Sequence, residues 1–146
     1  MASVKSVGYL NPQMMPVDGR AVFINDSAVV STNPVANDTH DFRIPAGLEL
    51  SLLRFKLPDM DTNATPTLAA KIGYAPVDAS SALAASDSYF RAAAALGQAA
   101  AQVECDFVPI TFQEDVKITV TWTVTSATFA AGTVYMTAAG NAKGPR

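Results

Sequence analysis

"EDVKITVTWTVTSATF", residues 114–129, decides how the rest of the chain is read. In it Val116, Ile118, Val120, Trp122 and Val124 alternate with Lys117, Thr119, Thr121, Thr123 and Thr125. Side chains of a strand point to opposite faces with a period of two. The segment is therefore a strand with one core wall and one threonine ladder, a face that a neighbouring chain can cover. "AGTVYMTAAG" (131–140) follows, with Val134 and Met136 on one face and Tyr135 and Thr137 on the other. Gly132 supplies a turn, so the two strands are expected to be antiparallel neighbours.

The same reading extends upstream. In "IPAGLELSLLRFKLPDMD" (44–61), Pro45 and Gly47 mark a turn and Leu48, Leu50 and Leu52 begin an alternation. Leu53 and Phe55 then fall on the second face, so beyond its middle the strand is apolar on both sides. Pro58 ends it, because a missing N–H breaks the ladder. "TPTLAAKIGYAP" (65–76) places Leu68, Ala70, Ile72 and Tyr74 inward, and the two strands are expected to form a hairpin. Weaker strands are 20–25, 27–32 and 102–112, the last interrupted at Pro109.

One segment differs in kind. From Ala82 to Ala101, ten of twenty residues are alanine, the best helix former. Ser86 suits an N-cap and Asp87 the positive end of a helix dipole. The expectation is an all-β fold, an antiparallel β-sandwich or jelly roll, with one short Ala-rich helix inserted at about 86–101. Residues 1–19 read as an extended arm, 20–140 as the sandwich domain and 141–146 as a flexible tail.

Bulk composition bounds the function. The 146 residues are 49% hydrophobic and 16% charged, with net charge −3; mean hydropathy is +0.19 and the pI about 4.9. One domain of this size buries a core without metal or disulfide support. Phosphate binding needs clustered Lys and Arg; the ten here are scattered, so nucleic acid is not an expected partner. No run approaches the ~20 apolar residues of a spanning helix, so no membrane partner is expected, and the N-terminus lacks a secretory signal pattern. Cys105 is the lone cysteine, which excludes an internal disulfide. The sequons at Asn25, Asn37 and Asn63 then have no secretory route to use.

Candidate chemical sites were weighed one by one. Asp59, Asp61 and Asn63 have the spacing that opens a calcium loop, but Ala64 and Ala70 stand where that loop needs Gly and Glu. Asp and Asn bond their own backbone in turns, so a turn is expected. His40, the single histidine, lies between Asp38 and Asp41 without a nucleophile pattern and reads as an exposed loop residue. Cys105 alternates with Val103 and Phe107 and reads as a small core residue. Glu104, Asp106, Glu114 and Asp115 read as solubilising residues beside strands. No catalytic constellation, metal site or cofactor is implied, and an enzyme is not expected. Surface suited to association remains. Tyr9, Leu10, Met14 and Met15 lie in the proline-punctuated arm and are the candidate partner-binding residues.

The order of these features resembles a known family. Ile44–Gly47 leads into the Leu-rich strand, followed by Asp59–Asp61, Thr65–Gly73, Asp87–Phe90 and Ala130–Val134. This punctuation, over residues ~40–138, is similar to that of small tailed-bacteriophage proteins encoded beside the major capsid gene. The resemblance implies a virion structural role, as a capsid cement or decoration protein. Such a protein is an oligomer of itself bound to the major capsid protein on the outside of the head, after synthesis in the bacterial host cytoplasm. No site residues transfer with it. The alternative is a head- or tail-fibre-associated module that binds host glycans, which would place exposed aromatics on loops.

Overall fold

Alternating apolar positions build ten strands and one helical turn in the computed structural model, which describes residues 1–10 and 19–144, Leu10 by its backbone alone. In chain order they are β1 (Ser3–Lys5), α1 (Val7–Leu10), β2 (Ala21–Val30), β3 (Thr39–Ile44), β4 (Leu48–Leu57) and β5 (Ala69–Pro76). There follow β6 (Ser86–Ala94), β7 (Ala101–Glu104), β8 (Ile110–Thr111), β9 (Val116–Val124) and β10 (Gly132–Ala142). One sheet runs β1-β3-β9-β5-β6 and the other β2-β10-β4-β7, with β8 also pairing β4. The all-β sandwich is thus the observed fold. Apolar side chains of both sheets meet between them, where Trp122, Phe42, Phe55, Leu48, Leu50, Leu53, Ile72 and Ile118 are fully buried.

Two pairs of strands, one expected to be antiparallel neighbours and the other a hairpin, are instead split between the sheets. β9 lies in one sheet and β10 in the other, and so do β5 and β4. The intervening turns therefore carry the chain across the core. Strand periodicity says which face is buried and is silent about which neighbour supplies the ladder. β2 is one unbroken strand over the two weaker segments, paired with β10 without a register shift from Val30↔Gly132 to Ala21↔Asn141.

β4 resolves its own irregular pattern. Ala139 pairs Leu52 whereas Gly140 pairs Leu50, so Ser51 is an extra residue on β4. A bulge of one residue shifts the alternation by one. Leu48 and Leu50 before it, and Leu53, Phe55 and Leu57 after it, all enter the same core. Gly140 permits this, because a Cβ there would lie 1.9 Å from the Glu49 carbonyl oxygen.

The expected helix at 86–101 is a strand at its start. β6 pairs β5 through Tyr74↔Ser86, Ile72↔Arg91 and Ala70↔Ala94. Alanine's helical advantage over other residues is only a few tenths of a kcal/mol per position. Here the ladder to β5 and the burial of Phe90, which stands edge-on to Phe107 at 4.9 Å between centroids, outweigh it. Gly73 lets β6 close in, since its missing Cβ would fall 2.0 Å from the Ser86 carbonyl oxygen.

The ends differ from expectation too. Residues 3–5 pair in parallel with β3, Ser3 opposite Thr39 and Lys5 opposite Asp41. Three carboxylates hold this segment. Asp38 takes the Ala2 N–H at 2.6 Å, Asp41 the Ser3 hydroxyl at 2.7 Å, and Asp26 the Gly8 N–H at 2.7 Å. At the other end Asn141 and Ala142 complete β10, Ala142 N–H donating to the Arg20 carbonyl and Lys143 N–H to that of Gly47. Residues 145–146 lie outside the described residues.

Candidate interaction surface

The outer faces of the two sheets differ in character. His40, Phe42 and Ile44 enter the core, so Thr39, Asp41 and Arg43 point outward on β3. Around them stand Lys5, Lys117 and Lys71, each in an ion pair: Lys5 and Lys117 with Asp41 at 3.0 and 3.1 Å, Lys71 with Asp87. Arg43 pairs with Asp115, which also accepts the Ala46 N–H at 2.8 Å. Burial pushes the Asp41 pKa upward, but Ser3, Lys5 and Lys117 outweigh it and hold it below the usual carboxylate range. The threonines of β9 do line this face, but Thr119 and Thr121 are already buried by their own neighbours. Val124, expected in the core, is exposed: Ala69 pairs Val124 and Ala70 pairs Trp122, so Thr123 is an extra residue on β9 that shifts the alternation by one.

The opposite sheet presents apolar groups instead. On β2 every second residue is buried, leaving Phe23 67% and Val29 60% exposed, and Tyr135, opposite Ser27 on β10, stands 51% exposed on the same sheet. Tyr135 separates two grooves. One, of about 510 Å³, is lined by Val7, Gly8, Asn25, Ser27 and Thr137. The other, of about 380 Å³, is lined by Lys56, Pro58, Ala101 and Gln102. Exposed large apolar side chains grouped on one face mark contact surfaces in soluble proteins. The period-two pattern of β2 contained this signal, but reading 20–25 and 27–32 as two strands parted at Asp26 hid it.

The residues singled out in the sequence fall elsewhere. Tyr9 lies half-buried against its own chain, with the Lys5 ammonium 4.2 Å from its ring centroid. Met14 and Met15 lie outside the described residues, and of Leu10 only the backbone is described. His40 is not a loop residue: it stands on β3, 4% exposed, and accepts the Trp122 indole N–H on Nδ1 at 3.0 Å. Burial lowers its pKa, and the proton of the neutral ring sits on Nε2, facing the Val29 carbonyl.

Asp61 answers the calcium question. Its carboxylate accepts the backbone N–H groups of Thr67, Leu68, Ala127 and Thr128 at 2.7–3.1 Å. It thereby pins the start of β5 to the loop after β9. Burial works against its charge, but these donors prevail and hold the pKa well below the usual carboxylate range. Oxygens so occupied by N–H groups are a turn hub. Cys105 is buried, its thiol pushed up to about 11 by desolvation, as a core residue's would be. Of the acidic quartet, Glu104 pairs with Arg54 at 2.8 Å, Asp115 with Arg43, and Glu114 accepts the Ser81 hydroxyl. Among the described residues no group of three potential metal ligands occurs, and no helix is long and apolar enough to cross a membrane.

No protein-family model and no curated protein matches the sequence. The fold, however, is shared with chains in two phage capsids. A chain in the capsid of Ralstonia phage GP4 superposes with a TM-score of 0.72 at 20% identity, over 99% of this chain and 100% of that one. A chain in the capsid asymmetric unit of Cyanophage Pam1 does so with a TM-score of 0.70 at 20% identity, over 85% of this chain and 86% of that one.

Proposed function

We propose that this protein is a capsid cement or decoration protein, which binds the outer surface of an icosahedral phage head and strengthens contacts between major capsid protein subunits. The observation that carries this reading is the end-to-end match, 99% of this chain on 100% of the other, to a chain in the GP4 capsid. A match over both full lengths concerns a capsid component of this size. The sequence punctuation at Ile44–Gly47 and Ala130–Val134 supports it independently. The role is structural, not enzymatic, and its site is the virion exterior.

The mechanism is mass action: a protein that binds the assembled shell and not its separated subunits stabilises the shell. The contact we assign is the outer face of the β2-β10-β4 sheet, where Phe23, Val29 and Tyr135 are exposed beside two grooves. Met14, Met15, Leu10 and Tyr9 remain proposed contributors from the N-terminal segment. The glycan-binding alternative is less well supported, because the exposed aromatics Phe23, Tyr89 and Tyr135 stand on strands rather than loops.

Adding purified protein to heads that lack it tests the reading. We expect saturable decoration of the shell exterior by cryo-EM and a higher temperature of head disruption. Tyr135→Asp should abolish decoration while leaving the thermal unfolding of the free protein unchanged. Heads that stay bare at saturating protein concentration would overturn the assignment.

A further inference from the structure

Among the described residues, one of the four sheet edges is left open in a regular way. An edge strand presents unpaired N–H and C=O groups, and proteins blunt it by shortening, bulging, charging or covering it. β1 has three residues and β7 four, and β8 has two. β6 departs from regular register twice along its pairing with β5. β2 is ten residues long, contains no proline or lysine, and keeps its register with β10 throughout.

Alternation fixes which groups of β2 face outward from the sheet edge. The Arg20 carbonyl accepts the Ala142 N–H, so the even-numbered residues of β2 bond to β10. Ala21, Phe23, Asn25, Ser27 and Val29 therefore direct both backbone groups away from it. The upper part of this edge is occupied. Asp26 accepts the Ser27 N–H at 2.7 Å and the Gly8 N–H at 2.7 Å, and the Val29 carbonyl faces His40. The outward groups of Ala21, Phe23 and Asn25 have no partner among the described residues.

We infer that this five-residue window, 21–25, is the contact by which two copies of the chain join, β2 against β2′ antiparallel across a two-fold axis at Phe23. The window is self-complementary. With Phe23 opposite its own copy, Ala21 meets Asn25 of the second copy, and about six backbone hydrogen bonds form. Phe23 finds its mate directly opposite on the outer face, which gives its exposed ring a cross-strand partner. An isologous contact of this kind closes on itself and stops at two copies. The inference deepens the self-association part of the proposed function and is tested in solution without any shell, so the two can fail separately.

Sedimentation velocity at high micromolar concentration should find the full chain dimeric. Asn25→Pro removes an outward N–H while leaving the β10 ladder intact, and Phe23→Lys sets like charges on the axis; both should sediment as monomers with the parent's circular dichroism, and their unfolding temperature should lose the rise with protein concentration that the dimeric parent shows. In an antiparallel hydrogen-bonded pair the Cα atoms stand ~5.5 Å apart, within disulfide range. Phe23→Cys should therefore form a disulfide-linked dimer on mild oxidation, whereas Ala21→Cys should not. A monomeric parent protein, or a dimer that persists in Asn25→Pro and is not trapped by Phe23→Cys, would overturn the inference.

Discussion

Trp122 donates its indole N–H to Nδ1 of His40 at 3.0 Å, edge to face with the rings 6.1 Å apart, in the fully buried seam between β9 and β3. The backbones repeat the link, Trp122 N–H to the Asp38 carbonyl at 3.0 Å and Asn37 N–H to that of Trp122 at 2.9 Å. Trp122→Phe removes one donor and leaves a buried acceptor unsatisfied. An orphaned buried acceptor costs about 1–3 kcal/mol, to which lost volume adds. Chemical denaturation should show a lower midpoint with an unchanged slope.

The same pair makes stability depend on pH. Burial lowers the His40 pKa, so the unfolded chain takes up a proton near pH 6.5 while the folded one does not. Stability is then fully present above that value and declines as pH falls towards the folded pKa. His40→Asn offers Oδ1 to Trp122 in place of Nδ1. Denaturation from pH 7 to 5 should show the decline in the parent and a flatter profile in the variant. Asp38, Asp41 and Asp61, all lowered, add a second decline below about pH 4, which both proteins should share.

Asp61→Ala strips the acceptor from four amides at once. Hydrogen exchange should accelerate at Thr67, Leu68, Ala127 and Thr128, with the β2-β10 ladder unaffected. Asp61→Asn, which keeps one oxygen, should fall between parent and Ala. Added calcium should change neither profile.

Gly140→Ala places a methyl 1.9 Å from the Glu49 carbonyl oxygen, against backbone that cannot rotate away. Either the β4–β10 pairing opens at the Ser51 bulge or the chain fails to fold. A loss above ~3 kcal/mol is expected, read as a collapse of soluble yield or of the unfolding temperature.

Ala93 is exposed on β6. If the segment were helical, Ala93→Thr would weaken it; on a strand, a β-branched residue should be neutral or stabilise by up to about 1 kcal/mol. Thermal unfolding of the single variant decides between them.

How much of this was legible follows from what each signal encodes. The inward residues of β5 and β9 were readable because alternation and burial have the same cause. The Asp59–Asn63 turn was readable because Asx side chains act locally, although Asp61's reach to Ala127 and Thr128 was not. The strand at 86–94 was hidden, since alanine reports a local preference and the ladder to β5 is non-local. His40 looked exposed because its partner, Trp122, lies 82 residues away. The outer face that carries Phe23 and Tyr135 is built from strands at opposite ends of the chain, Phe23 opposite Ala139 and Tyr135 opposite Ser27, and only pairing makes it one surface.

The order of the sheets sets a timetable for folding. β10 lies between β2 and β4, and β9, the strand before it in the chain, lies between β3 and β5. Each sheet is thus joined only when a strand late in the chain is added, so the segments before β9 are separate pieces of a sandwich with nothing to join them. β2, an early strand, therefore gains its ladder only from one of the last described strands, which makes closing this sheet a long-range event.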